Sequence, residues 1–312
     1  MRILVLGARG AVGKATASTL RAAGHQVTPA GRTAPTGGLA IDLTTTAGFD
    51  ALGAAAPEHR IVVNASGIED PRIMATMSGA ILVDPSATAA YLAQLSRAAQ
   101  LGSTPVVLGA GLAPGLSTQL VAAVAGEPGD EIDLAIMLGG GETHGAAAVE
   151  WTAGLAGREV WEPPEQHAVV NLREHRRLRT GRRTRTGLRA DFPDHFLIGR
   201  PRGVAVRSYL ATDGPLTTAA LGLVGRFPAL APLIARAPHL GSDRWSLTAT
   251  NRRTGETLSA TGAGQSRTTG GLTALAALAA ADAETAPTMT AADVLTLDDV
   301  TGAGLGITIE RW

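Results

Sequence analysis

Short apolar runs alternate with helical patterns in the first third of the chain. Continuous runs such as Ile3–Leu6 and Ile61–Val63 suit strands that are covered on both faces. Strands that alternate with helices indicate βαβ units. We therefore expect an α/β architecture, a doubly wound parallel sheet of the Rossmann type. The six candidate strands are residues 2–6, 25–30, 39–42, 60–64, 81–84 and 105–108. Pro29 has no N–H for a ladder, so we expect the second strand to leave the sheet there.

The pattern changes after residue 108. A glycine-rich turn at 109–118 leads into an Ala/Val-rich helix to Ala125, and 126–129 has the composition of a linker. These features predict a dinucleotide-binding domain over 1–125 and a substrate or dimerisation domain over 126–312. The second domain should be α+β with a largely antiparallel sheet. Its predicted elements are a strand at 131–138, antiparallel strands within 160–210, helices within 216–237, and a hairpin of 245–250 with 257–261.

A late helix, 268–282, carries leucines at 272, 275 and 278 among alanines and glycines. Such a stripe has to be buried. We expect this helix to pack back on the nucleotide domain; the alternative is that it completes the second domain. Its return would leave one face of the antiparallel sheet for a two-fold homodimer.

Three glycines follow the first strand at the predicted start of the first helix. Gly7 permits a tight turn, Gly10 lets backbone approach a pyrophosphate, and Gly13 lets the helix pack on the strand. The N-terminus of the helix supplies free N–H donors and the positive end of a dipole. The pattern predicts dinucleotide binding; the alternative is a merely tight turn. The predicted binding residues of this loop are Gly7, Arg9, Gly10, Ala11, Val12 and Gly13.

The end of the second strand indicates which dinucleotide is bound. NAD enzymes usually place an acid there for the ribose 2′-hydroxyl, and residues 27–33 contain none. Arg32, Thr33 and Arg9 suit a 2′-phosphate instead, unless Arg32 is only a solvated loop residue. We therefore expect NADP rather than NAD. Asp42 is expected beside the adenine. The expected neighbours of the central phosphates and ribose are Asn64, Ala65, Ser66 and Gly67.

Composition narrows the chemistry further. The 27 basic and 27 acidic residues balance, so we expect no nucleic-acid partner. The apolar runs are too short for a membrane span or a secretory signal, and we expect a cytoplasmic protein without a metal site. The chain has no Cys, and Lys14 is its only lysine. A thiol nucleophile and the Tyr-x-x-x-Lys pair of short-chain dehydrogenases are therefore excluded, which leaves His, Asp or Glu as the proton donor.

Several stretches together resemble a known family. They are residues 7–13, 63–67, 82–84, 113–117, 141–145 and 273–278. On these the chain resembles the saccharopine dehydrogenase-like oxidoreductases, of the small bacterial type. The resemblance implies an NAD(P)-binding fold, often dimeric through the sheet of the second domain, with the late helix returning to the nucleotide domain. It implies no particular substrate. Lysine-forming members use a Lys and His pair at the active site, and this chain has no lysine besides Lys14, so we do not expect saccharopine chemistry itself.

The candidate catalytic residues are His144 and Glu142, which follow three glycines at a predicted helix start. His144 could donate a proton to a carbonyl or imine, with Glu142 tuning its pKa; alternatively, both only cap the helix. Asp84 could face the nicotinamide or only start a helix. We expect an NADP-dependent oxidoreductase acting on a small polar molecule; the alternative is a non-catalytic NADP-binding sensor or scaffold.

Eight arginines lie between Arg173 and Arg189. They could bind an anionic substrate, a phosphate-rich polymer or an acidic partner. The interspersed Thr and Gly and the neutral overall charge favour a solvated hairpin.

Overall fold

A computed structural model describes residues 1–142, 146–180, 183–236, 241–284 and 286–312. The chain divides into two compact units, 1–116 with 266–300 and 117–265 with 301–312. The strands are β1 (Arg2–Leu6), β2 (Gln26–Gly31), β3 (Leu39–Ala40), β4 (Ile61–Asn64), β5 (Ile81–Asp84), β6 (Val106–Leu108), β7 (Glu131–Leu138), β8 (His175–Thr180), β9 (Arg183–Arg189), β10 (Ala205–Thr212), β11 (Arg244–Asn251), β12 (Thr257–Ala263), β13 (Thr288–Thr290) and β14 (Thr308–Arg311). The α-helices are α1 (Ala11–Ala22), α2 (Thr46–Ala55), α3 (Arg72–Thr76), α4 (Ala89–Leu101), α5 (Leu116–Val124), α6 (Ala146–Leu155), α7 (Arg200–Arg202), α8 (Pro215–Arg226), α9 (Gln265–Asp282), α10 (Ala291–Val294) and α11 (Leu297–Gly302).

The first unit is built on a parallel sheet with the order β13-β6-β5-β4-β1-β2-β3. Its central strands β4 and β5 are buried along their whole length, and each is apolar up to its last residue, Asn64 or Asp84, as burial on both faces requires. The chain runs outward from β1 to β3 and then crosses to β4 on the other side of β1. This reversal is the topological switch point at which doubly wound sheets bind ligands. The predicted α/β fold class is confirmed, with β13 added beside β6 as a seventh strand within the described residues.

The second strand does not leave the sheet at Pro29, and that prediction is wrong. Pro29 pairs with Val5, and β2 continues to Gly31. On its other side, β2 pairs with β3 only at Ala30 and Gly31. The missing N–H of proline is tolerated because β3 has not yet begun at Pro29.

Helix α9 packs in the first unit against the sheet core. Four of its alanines are fully buried in the hydrophobic cluster that includes Ile3, Val5 and Leu20, and Leu275 and Leu278 contact the same cluster. The helix also crosses α1 closely at Gly270, where a Cβ atom would lie 2.5 Å from Ala15 Cβ. The buried alanines are Ala274, Ala276, Ala277 and Ala280.

The second unit is built on a mixed sheet with the order β14-β12-β11-β7-β10-β9-β8. Most of its pairs are antiparallel, including the hairpins β8–β9 and β11–β12. The expectation of antiparallel strands throughout 160–210 needs one correction, because β10 runs parallel to β7 over eight residue pairs. A long connection through α6 and the β8–β9 hairpin separates the two strands, which allows a parallel crossover. A π-helix at His195–Gly199 and 3₁₀ turns at Ala56–Glu58 and Pro228–Arg236 complete the elements.

The units divide at residue 116, nine residues before the predicted boundary. Helix α5 belongs to the second unit because its polar groups bond there. Ser117 Oγ donates to Asp194 Oδ1 at 2.7 Å, and Asn251 Nδ2 donates to the Val124 carbonyl at 3.1 Å. In the described part of the chain, no helix is both long and apolar enough to cross a bilayer.

Candidate functional site

The glycine loop after β1 is closely packed against its neighbours. Gly7 has a φ of +71°, and a Cβ there would lie 2.3 Å from the Ala65 carbonyl oxygen. A Cβ on Gly13 would lie 2.2 Å from the Gly7 carbonyl oxygen. The Gly10 N–H donates to that same carbonyl at 2.9 Å, which closes the turn. Gly7 and Gly13 are therefore required by the fold itself.

Gly10 has a different role. Its backbone is extended, and a Cβ there would meet only the Gly7 oxygen, at 3.3 Å. Gly10 and Ala11 are exposed, and Gly10 caps α1 without any side-chain bond to the helix. The first intrahelical bond runs from Lys14 N–H to the Gly10 carbonyl. The N–H groups of the first turn are therefore available to an anion, and no acidic side chain in that turn competes.

Two loop arginines lie at the end of β2. Arg9 of the glycine loop donates from Nη2 to Thr33 Oγ1, so the loop after β1 is tied to the loop after β2. Arg32 is exposed beside Thr33. The three residues that are predicted to bind a 2′-phosphate therefore lie at the same edge of the sheet.

Asp42 follows β3 near this edge. Its carboxylate accepts hydrogen bonds from the Thr44 hydroxyl at 2.8 Å and the Thr44 N–H at 3.1 Å. These bonds, with a smaller contribution from the charge of Arg32, lower the pKa of Asp42. The carboxylate thus holds the turn before α2, and its predicted contact with the adenine stays a prediction.

The loop after β4 lies directly against the glycine loop, and a buried network fixes its shape. Asn64 Nδ2 donates to Asp84 Oδ2 at 2.9 Å, and Asn64 Oδ1 accepts from Ser66 Oγ at 2.6 Å. Gly67 follows with a φ of +77°. The Asn64 side chain is therefore occupied inside the protein and positions the loop, whose backbone at Ala65 touches Gly7.

Asp84 is fully buried at the end of β5. Its carboxylate accepts from the Ser86 N–H at 2.8 Å, from Asn64 Nδ2, and from the Tyr91 hydroxyl at 2.9 Å. Burial raises the pKa of Asp84, against the opposing effect of these bonds. Through its hydrogen bond with Asn64, Asp84 holds the 64–67 loop in place. Sequence reasoning missed Tyr91 in this role, because Tyr91 is seven residues further along and lies on a helix.

We expect Tyr91→Phe to lower the free energy of unfolding by about 1–2 kcal/mol, because Asp84 loses one buried hydrogen bond. Chemical denaturation measures this change. Binding of a nicotinamide nucleotide should stay within about twofold of wild type, since the Asn64 and Ser86 bonds remain. A loss of nucleotide binding at unchanged stability would instead assign Tyr91 to the ligand.

Of the two predicted catalytic residues, His144 and Glu142, the structure describes only Glu142. His144 lies outside the described residues, as does Arg182 of the arginine-rich run. Glu142 Oε2 accepts a hydrogen bond from the Gln265 N–H, and Gln265 Nε2 donates to the Gly139 carbonyl at 2.8 Å. Glu142 thus binds the first residue of α9, a structural contact of the kind that the sequence left open beside catalysis.

Comparisons with known proteins give the chain no family. No family model matches it, and no curated protein matches it. The saccharopine dehydrogenase-like resemblance therefore stays a prediction.

Solved structures are similar to parts of the chain or to most of it. A short-chain dehydrogenase/reductase superfamily protein from Agrobacterium tumefaciens with bound NAD has 18% identity and a TM-score of 0.28, over 34% of this chain and 48% of that one. The 3-alpha-hydroxysteroid dehydrogenase from Pseudomonas sp. B-0831, complexed with NADH, has 20% identity and a TM-score of 0.23, over 32% and 60%. A mutant meso-dapdh from Clostridium tetani E88 with DAP has 10% identity and a TM-score of 0.47, over 96% and 95%. The chain thus spans about half the length of the first of these proteins and 60% of the second.

Proposed function

We propose that the chain binds NADP(H) at the carboxyl edge of its parallel sheet and serves as an oxidoreductase. One observation carries the proposal. At the switch point of the sheet, the exposed N-terminus of α1 has no side-chain cap, and its N-cap residue, Gly10, is a glycine although the fold leaves room for a Cβ atom there. Of the three loop glycines, Gly7 and Gly13 have no room for a side chain, whereas packing does not require a glycine at position 10. A ligand that approaches the backbone closely explains it.

The residues fit a phosphorylated dinucleotide. The N–H groups of Ala11, Val12 and Gly13 would hold the pyrophosphate. Arg32, with Arg9 and Thr33, would hold a 2′-phosphate, since guanidinium groups pair well with phosphate oxygens. The 64–67 loop, held rigid by Asp84, would line the central part of the site.

The proposed reaction is reduction or oxidation of a small polar carbonyl or imine compound. When bound, the nicotinamide supplies or accepts a hydride. His144 is the proposed proton donor, from its sequence context alone, with Glu142 nearby in the chain. A screen of NADPH oxidation with oxo acids, imines and enones tests the activity. If NADPH binds but none of these compounds is turned over, the result favours the alternative of a non-catalytic NADP-binding sensor or scaffold. If His144→Ala keeps full turnover, the proton donor is another group.

Cofactor preference gives the sharpest test. We expect wild type to bind NADPH more tightly than NADH, and Arg32→Ala to weaken NADPH binding about 10- to 100-fold, the usual value of a charged hydrogen bond. NADH binding should change less than about threefold, because NADH has no 2′-phosphate. Titration followed by nucleotide fluorescence measures all four constants.

Arg21→Ala is the matched control. Arg21 is also exposed, but it lies in the last turn of α1, about 15 Å from the N-terminus of the helix. It removes the same charge and should leave both affinities nearly unchanged. Equal or tighter binding of NADH by wild type, unaffected by Arg32→Ala, would reject the NADP assignment.

A further inference from the structure

The second unit contains a cavity that the proposed function does not use. Its volume is about 1100 Å³, and it lies between the β8–β9 hairpin and α8. Six of the fifteen lining residues are basic, and none of the fifteen is acidic. The basic residues are Arg173, His175, Arg177, Arg183, Arg185 and Arg226.

Two groups of arginines in this region differ in their partners. Arg176 pairs with Asp133 at 3.2 Å, and Arg189 pairs with Glu165 at 3.1 Å. Neither arginine lines the cavity. By contrast, Arg177 and Arg226 have no ion-pair partner among the described residues. The fold thus neutralises some arginines of the hairpin and leaves others unpaired in one concave space.

Some of the lining arginines are held in place by backbone groups. Arg173 Nε donates to the Gly225 carbonyl at 3.2 Å, which places it beside Arg226 at the end of α8. Arg185 Nη1 donates to the Asp213 carbonyl at 2.6 Å, next to the start of the helix. Such bonds orient a guanidinium group without cancelling its charge.

The cavity is elongated along α8. Pro215 and Arg226, the first and last residues of the helix, both line it, and they lie about 16 Å apart along the axis. Basic groups are present toward both ends, and the apolar surfaces of Leu188 and Ala219 also line the space. These dimensions suit a small molecule with separated charges rather than a single ion.

We propose that this cavity binds an elongated organic anion that bears two or more phosphate or carboxylate groups. Guanidinium forks match both kinds of group, and an acid-free cavity concentrates anions from solution. The ligand is either a substrate or an effector of the protein, and in both cases it binds through Arg177 and Arg226.

Calorimetric titration with inorganic tripolyphosphate and with citrate, at about 0.1 M salt, tests the site. We expect one equivalent of at least one probe to bind. Arg177→Gln should weaken it about 10-fold, and the double variant with Arg226→Gln about 100-fold. Arg179→Gln is the matched control: Arg179 is exposed on the same strand, stacks on Trp312, and does not line the cavity. It should change affinity less than about threefold.

The two probes distinguish a phosphate ligand from a carboxylate ligand. Arg32→Ala separates this site from the nucleotide loop: it should leave probe binding intact. If Arg32→Ala abolishes binding while Arg177→Gln does not, the probe occupies the glycine loop and the proposal is wrong. Absence of binding by both probes overturns it as well. If neither small probe binds but polyuridylate does, and that binding depends on Arg177, the proposal is also wrong, because the surface would then bind a polymer. Thermal unfolding of each variant verifies that the fold is intact.

Discussion

Gly13→Ala is expected to lower the free energy of unfolding by about 3 kcal/mol or more, at the upper end of overpacking effects. The added Cβ would lie 2.2 Å from the Gly7 carbonyl oxygen and 2.8 Å from its carbon. Both are backbone atoms of the tight turn after β1, so α1 would have to move away from the strand. Denaturant unfolding followed by circular dichroism measures the loss. Nucleotide binding should fall at least about 10-fold, since the N-terminus of α1 would be displaced.

Gly10→Ala is the matched substitution three residues earlier. Gly10 has φ −68° and ψ 164°, which alanine adopts without strain, and its Cβ would contact only one oxygen at 3.3 Å. Stability should therefore stay within about 1 kcal/mol of wild type. Nucleotide binding should nevertheless fall about 10-fold, because the methyl group would occupy the space of the phosphates. If both variants were equally unstable, or if Gly10→Ala bound NADPH normally, the division between packing and binding glycines would be refuted.

Asp194→Asn is expected to stabilise the protein increasingly as the pH rises. Asp194 is fully buried; Ser117 donates to its Oδ1, and its Oδ2 has no partner among the described residues. Burial raises the pKa of Asp194 from its ordinary 3.8 to about 6. Between these values, folding takes up a proton, so the contribution of Asp194 to stability falls as the pH rises. Above both values the wild type carries a buried charge that the amide lacks.

The difference in unfolding free energy between Asp194→Asn and wild type should therefore grow by about 2 kcal/mol from pH 4 to pH 7.5, at about 1.4 kcal/mol per pKa unit. Unfolding series at several pH values measure it. Asp50→Asn, at an exposed position of α2, controls for loss of a carboxylate and should show no comparable growth. A constant difference across the range would show that Asp194 ionises normally in the folded protein.

The strands of the first sheet other than β13 could be predicted, because each is specified by residues close together in the sequence. Residues 2–6 and 81–84 match β1 and β5 to the residue, since a strand covered on both faces is a continuous apolar run. The glycine spacing predicted a tight turn, and the structure contains the close backbone approaches at Gly7 and Gly13 that such a turn needs. In the second unit, the strand at 131–138 was predicted with the same bounds.

Other features depended on residues far apart in the chain. Strand β13 is only three residues long, and it exists because Val106–Leu108 is available as a partner. The parallel pairing of β10 with β7 also depends on residues far apart in the chain, because hydrophobic periodicity specifies a strand but not the strand beside it. The contacts that fix Asn64 through Asp84 and Tyr91 likewise join three different elements.

The sequence alone determined the class of the fold and the position of the glycine loop that we propose binds phosphate, because both follow from residues close together in the chain. Only the tertiary structure decided what individual polar groups do. It separated Gly10, open to a ligand, from the packed Gly7 and Gly13. Within one run of arginines, it also separated Arg176 and Arg189, which pair with acidic side chains, from others that line a cavity. The physical reason is that charge pairing and close packing depend on distances in space, which strand pairing and helix docking set.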